Sequence, residues 1–146
     1  MNEYTQISQS VLVVDDHILF REGLVSLFNS TPDFRVVDQA GTVREGMAKV
    51  LRFKQDIILM DFSLPDCTGL DAIRVILDEL PESKIIFLTI CETNNDLVKA
   101  IHLGARGYLS KSVSSSSFLA SLRAFAEGEA DSSRKSVMPE IHSEKN

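Results

Sequence analysis

At 146 residues, 44% hydrophobic and 25% charged, the chain has the material for one ordinary core and no length for a second of similar size. A formal net charge of −6 excludes a nucleic-acid grip made by this segment, because phosphate contacts need clustered Lys and Arg. No apolar run approaches the roughly 20 residues of a membrane span, and residues 1–10 lack a signal peptide's apolar core, so we expect no membrane contact and a cytoplasmic location. Cys67 and Cys91 are too few and too loosely placed for a disulfide scaffold or a zinc site.

In chain order, the unbroken apolar run Val11, Leu12, Val13, Val14 predicts a buried strand that ends on two acids, Asp15 and Asp16. Residues 18–30 carry Ile18, Leu19, Leu24, Val25, Leu27 and Phe28 mostly at helical spacing, and Pro32 blocks continuation. Residues 34–40 predict a more polar strand, suited to a sheet edge. Thr42 offers an N-cap for a helix to about Phe53, with Ala48, Val50 and Leu51 expected on its inner side. Ile57, Ile58, Leu59 and Met60 form a third strand, apolar on both faces, that stops on Asp61; Pro65 and Gly69 mark the loop behind it.

A helix over 68–80 follows from Leu70, Ile73, Ile76 and Leu77, and a fourth strand spans 84–89. Thr93 or Asn94 can cap the next helix, which Gly104 ends. Residues 107–111 predict a short fifth strand, and 114–127 a last helix with Phe118, Leu119, Leu122 and Phe125 inward, Ser114 to Ser117 at its start and Gly128 as its stop. Five alternations of strand and helix imply an α/β fold, a parallel sheet with helices on both faces. From Glu129 onward the polar composition predicts a linker that buries no core.

The polar residues that end the strands all fall on one edge of such a sheet: Asp15 and Asp16, Asp61, Thr89 and Lys111. Two unit charges about 5 Å apart repel by roughly 3 kcal/mol at an effective dielectric of about 20, so three clustered carboxylates call for a cation. Oxygen ligands in an incomplete cage suit Mg²⁺, which keeps waters and accepts phosphate oxygens. With an ammonium and a hydroxyl alongside, the set suits a carboxylate that attacks a phosphoryl group. Taken singly, each residue has a plainer reading: Asp15 as a helix N-cap, Thr89 as a satisfied hydroxyl, Lys111 as a surface charge, Tyr108 as a core aromatic.

Val14-Asp15-Asp16-His17, Asp61-x-x-Leu64-Pro65-x-x-x-Gly69, Leu88-Thr89 and Gly104-Ala105-x-Gly107-Tyr108-Leu109-x-Lys111 resemble the receiver domain of two-component response regulators. The run from Asp15 to Leu24 and residues 118–129 are similar to the NarL/FixJ (LuxR-type) class. The resemblance covers about residues 10–130. It implies a flavodoxin-like, doubly wound (βα)5 sandwich with a five-stranded parallel sheet in the order 2-1-3-4-5. Residues 1–9 would be an extension, 10–128 the receiver, and 129–146 a linker whose output domain lies outside this chain.

By the same resemblance, Asp61 is the phospho-acceptor and Asp15, Asp16, Asp61 and the backbone carbonyl of Ser63 hold Mg²⁺. Thr89 and Lys111 meet the phosphoryl oxygens, and Thr89 and Tyr108 carry the switch. The donor is a phosphohistidine on a sensor histidine kinase, so His17, His102 and His142 need no part in it. The chain is then a regulatory phospho-acceptor with self-phosphorylation and autodephosphorylation only. It is a homodimer that binds no nucleic acid itself, while a full-length parent would bind DNA and regulate transcription.

Two positions depart from the family pattern. Ser112 follows Lys111 where many receivers have Pro, which leaves the geometry of that bond open. Ile90 follows Thr89 where a smaller residue is common, and its bulk could slow attack of water on a phosphorylated Asp61. Among rivals, a haloacid-dehalogenase-type phosphatase would want a second acid where Ser63 stands. An FMN-binding flavodoxin-like carrier would want a phosphate cradle where Asp15 and Asp16 stand. A phosphorylation-independent protein-binding pseudo-receiver would not need all five residues.

Overall fold

The computed structural model describes residues 8–90 and 95–127. The elements are β1 (Gln9–Val14), α1 (Ile18–Asn29), β2 (Phe34–Ala40), α2 (Val43–Phe53), β3 (Ile57–Asp61), β4 (Ser63–Leu64), β5 (Cys67–Thr68), α3 (Gly69–Glu79), β6 (Lys84–Thr89), α4 (Asn95–Leu103), β7 (Gly107–Ser110) and α5 (Ser115–Ala126). The main sheet runs β2-β1-β3-β6-β7, all parallel. In order of the sheet's own strands this is the expected 2-1-3-4-5. The short pair β4-β5 is an antiparallel hairpin inside what the sequence presents as a plain loop.

Period-two alternation divides the strands between two cores. Leu12, Val14, Ile58, Met60, Ile85, Phe87 and Tyr108 face α2, α3 and α4 through Val43, Val50, Ile73, Ile76, Leu97 and Ala100. Val11, Val13, Ile57, Leu59, Ile86, Leu88 and Leu109 face α1 and α5 through Leu24, Phe28, Phe118, Leu122 and Phe125. Burial on both faces explains why β1 and β3 show no polar alternation. β2 does alternate, as an edge strand should, and its pairing with β1 shifts register between Val11 and Leu12.

Several helix ends match residues read from the sequence. Thr42 accepts from the Glu45 N–H, Thr68 from the Asp71 N–H and Ser114 from the Ser117 N–H. Gly104, at φ +126°, adopts a left-handed backbone that ends α4.

Other expectations need correcting. On α2 the inward residues are Val43, Gly46 and Val50, while Ala48 and Leu51 face solvent. On α1, Ile18 and Leu19 are exposed and Phe20 packs inward instead. Val50 on α2 and Leu24 and Phe28 on α1 are buried, so part of each inward face agrees with the periodicity, while the rest is set by how each helix crosses the sheet. On α5, Leu119 packs against the core as expected, though partly buried. The caps expected at Thr93 or Asn94 and at Gly128, the linker from Glu129 and residue Cys91 lie outside the described residues.

The sheet order places the site. From β1 the chain leaves through α1 toward the edge strand β2, whereas from β3 it leaves through α3 toward β6 on the other face. The two connections diverge, and a crevice opens between the carboxyl ends of β1 and β3.

Candidate functional site

Asp15 follows β1 directly and Asp61 ends β3, neighbours in the sheet through the Val14–Met60 register pair. Both carboxylates are divided in the same way. Asp15 Oδ1 accepts the backbone N–H of His17 at 2.8 Å, and Asp61 Oδ1 accepts that of Ser63 at 3.0 Å, each two residues onward. The second oxygens turn to one ammonium: Lys111 Nζ lies 2.6 Å from Asp15 Oδ2 and 3.1 Å from Asp61 Oδ2. The plain reading of Asp15 as a helix-start acceptor is therefore true of one oxygen only.

Lys111 sits just past β7 and not within it. Its N–H donates to the Thr89 carbonyl at 2.8 Å, and its ammonium stands 4.8 Å above the Phe20 ring. The side chain is only 7% exposed, so this is a buried charge held by buried partners and not a solvated surface lysine. The fully buried Asp15 Oδ2 is held by this 2.6 Å ion pair, with no other polar partner among the described residues.

Burial pushes the Asp61 carboxyl above its ordinary range, and the Asp15 charge adds to this. The Ser63 N–H and the Lys111 ammonium oppose it. A cation added beside Asp61 would favour the ionised form that a nucleophilic carboxylate needs.

His17 was read from the sequence as a bystander, and the structure brings it into the cluster. Its Nδ1 lies 2.8 Å from Asp15 Oδ1, 3.1 Å from Lys111 Nζ, and 3.6 Å from both Asp16 Oδ1 and Asp61 Oδ2. Donor atoms of Asp15, Asp16, His17 and Asp61 fall within 4.8 Å of one another. Oxygen-rich, partly open and with three carboxylates to one ammonium, the set fits a hard divalent cation. The signal in sequence was adjacency alone, since His17 follows the acids directly.

Thr89 ends β6 and is buried, one residue beyond Leu88, the register partner of Asp61. Ser63 reaches the site through its backbone N–H. Tyr108 stands apart from the charges, buried on β7 opposite Phe87. The Lys111–Ser112 bond is trans, and the Ser112 N–H donates to Ser110 Oγ at 3.0 Å.

Three supporting residues were not identified as such from the sequence. The Arg21 guanidinium donates to the Asp15 carbonyl and, at 3.2 Å, to Gln39, tying α1 to the end of β1. Asp66, in the β4-β5 turn, accepts the N–H groups of Val43 at 3.0 Å and Arg44 at 3.1 Å, docking the loop after β3 on the start of α2. Burial would raise the Asp66 carboxyl, but those two bonds, with its own N–H and the Arg44 charge, hold it below the usual range. Gly69 must be glycine for closeness: a Cβ there would lie 2.2 Å from the Phe62 ring, which packs edge-on against Phe87.

The chain also resembles known proteins. The family model described as response regulator receiver domain matches residues 11–123. The chain is 37% identical over 103 residues to the DNA-binding transcriptional activator DevR/DosR of Mycobacterium tuberculosis, covering 70% of this chain and 48% of that protein. It is 34% identical over 120 residues to the oxygen regulatory protein NreC of Staphylococcus aureus, covering 82% and 55%. Among solved structures, a LuxR-family two-component response regulator from Aurantimonas superposes with a TM-score of 0.78 at 29% identity, covering 84% and 87%. The chain spans about half the length of the curated relatives it matches. Among the described residues no helix is long and apolar enough to cross a membrane. With the sheet order and the carboxyl-edge cluster, these matches establish that the chain belongs to the response regulator receiver domain family, among regulators of the NarL/LuxR type.

Proposed function

We propose that Asp61 accepts a phosphoryl group from the phosphohistidine of a sensor histidine kinase, in a Mg²⁺-dependent reaction that switches a transcription regulator. The observation that carries this is the division of the Asp61 carboxylate: Oδ1 is pinned by the Ser63 N–H while Oδ2 faces Lys111 inside the acidic cluster. Pinning one oxygen orients the other for in-line attack. The new O–P bond forms on Asp61 as the donor's P–N bond breaks, and the departing imidazole keeps that electron pair.

Asp15, Asp16, Asp61 and the Ser63 carbonyl would hold Mg²⁺, which supplies positive charge to the phosphoryl oxygens when bound. Lys111 would release part of its pairing to the carboxylates and take up a phosphoryl oxygen. The Thr89 hydroxyl would move to another, and Tyr108 would turn into the space this leaves, altering the face formed by α4, β7 and α5. Shifting such an equilibrium takes about 3 to 5 kcal/mol, within reach of two charge-assisted hydrogen bonds and a metal contact.

In this reading the chain catalyses only its own phosphorylation and dephosphorylation and works in the cytoplasm. Residues 10–128 are the receiver, preceded by an extension over 1–9. Residues 129–146 link it to a DNA-binding domain in a longer parent, and phosphorylation promotes a homodimer. Incubating the chain with acetyl phosphate and Mg²⁺ tests this. We expect one acid-stable, base-labile phosphoryl adduct by mass and a larger species by light scattering, both absent in Asp61→Ala. An unmodified wild type, or an adduct that survives Asp61→Ala, would assign the chain to a phosphorylation-independent binding role or to another acceptor.

A further inference from the structure

We propose that His17 is a metal ligand of this pocket, through Nδ1, and that it tunes the site toward divalent ions that accept nitrogen, Mn²⁺ and Co²⁺, over Mg²⁺. The proposal rests on the metal-dependent reading above and adds to it a donor that does not belong to the oxygen set.

Three features lead there. Ligands about 2.1 Å from an octahedral ion lie about 3 Å apart when adjacent and about 4.2 Å apart when opposite. His17 Nδ1 stands 2.8 Å from Asp15 Oδ1 and 3.6 Å from Asp16 Oδ1 and Asp61 Oδ2, spacings that bracket the adjacent distance. The Nδ1 side of the ring is also the one turned into the pocket, where it meets Asp15 Oδ1 at 2.8 Å and lies 3.1 Å from Lys111 Nζ. The charge balance points the same way, since the three carboxylates of Asp15, Asp16 and Asp61 face the single Lys111 ammonium and leave net negative charge for a cation.

The position is also stiff enough to matter. The His17 N–H is fixed on Asp15 Oδ1, and as N-cap residue its extended backbone, φ −88° and ψ 101°, is set by the start of α1. Imidazole gains affinity along the series from Mn²⁺ through Co²⁺, whereas Mg²⁺ prefers oxygen and water. A nitrogen here therefore separates ions that an all-carboxylate pocket would treat more alike.

The test uses the whole chain with Mn²⁺ or Mg²⁺ alone, titrated calorimetrically, plus pulsed EPR of bound Mn²⁺. We expect wild type to bind Mn²⁺ at least about tenfold tighter than Mg²⁺ and to show a nitrogen-14 coupling. His17→Gln should lose about tenfold in Mn²⁺ affinity, keep Mg²⁺ within about threefold, and lose the coupling. Circular dichroism checks that His17→Gln is folded, which the exposed setting of this side chain favours. Mn²⁺ bound without nitrogen coupling, or an unchanged Mn²⁺-to-Mg²⁺ ratio in His17→Gln, overturns the ligand assignment and leaves the pocket standing. Binding of neither ion to wild type overturns both.

Discussion

Lys111→Met removes the ammonium and keeps a stem of similar shape beside Phe20. With Nζ at 2.6 Å from Asp15 Oδ2 and 3.1 Å from Asp61 Oδ2, an effective dielectric of about 20 gives gross attractions of about 6 and 5 kcal/mol. Desolvation of the three groups takes back much of that. The cost that remains is of two buried carboxylates left without their counter-charge, about 3 to 5 kcal/mol. A domain of this size has roughly 5 to 15 kcal/mol in all, so the variant should be close to unfolding at neutral pH.

Urea unfolding followed by circular dichroism at pH 7, with chelator present, measures the loss. Three conditions should restore stability: lower pH, which protonates the carboxylates; Asp61→Asn in the same chain, which removes one of them; and a divalent cation, worth about 2.7 kcal/mol at a hundred times its Kd. A loss below about 1 kcal/mol, the size of an exposed pair, with no rescue by Asp61→Asn, would refute the picture of a buried counter-charge.

The other predictions concern neighbours of that centre. Burial holds the Asp61 carboxyl above 3.8. Between the unfolded and folded pKa the native chain keeps a proton that the unfolded chain has lost, so this group makes stability fall as pH rises through that window. Asp61→Asn should abolish that component and be the more stable protein at neutral pH without metal; equal pH profiles of the urea midpoint would contradict it. Ile90 is 77% exposed beside Thr89, and Ile90→Ala should speed loss of the phosphoryl group several-fold, with an unchanged lifetime counting against any shielding by its bulk. Gly69→Ala should cost about 1 to 3 kcal/mol in thermal or urea unfolding, because its Cβ would meet the Phe62 ring. Asp66→Ala should cost about 1 kcal/mol as a lost cap, with faster amide exchange at Val43 and Arg44 as the sign that the contact to α2 is what was lost.

The legibility of the site varied residue by residue. Asp15, Asp16, Asp61, Thr89 and Lys111 could be placed on one edge because each stands at or just past the end of a strand, and parallel strands deliver their carboxyl ends to one edge. His17 could not. A histidine after two acids could face solvent as easily as the pocket, and the choice depends on its backbone at the start of α1 and on Lys111, which is 94 residues away. Asp66 and Arg21 escaped for the same reason: their partners, Val43 and Arg44 for one, Gln39 and the Asp15 carbonyl for the other, are remote in sequence or belong to the backbone.

By itself the sequence determined the alternation of strands and helices, the capping by Thr42, the helix starts at 68 and at Ser114, the stop at Gly104 and the placing of the acids on one edge. These follow from periodicity and local chemistry, which act over a few residues. Only the tertiary structure decided which side of α1 and α2 turns inward, that β4 and β5 pair, and that the Asp15 and Asp61 carboxylates each give one oxygen to backbone and one to Lys111. Those outcomes depend on how elements far apart in the chain meet, and no local preference encodes the angle or the distance at which they do.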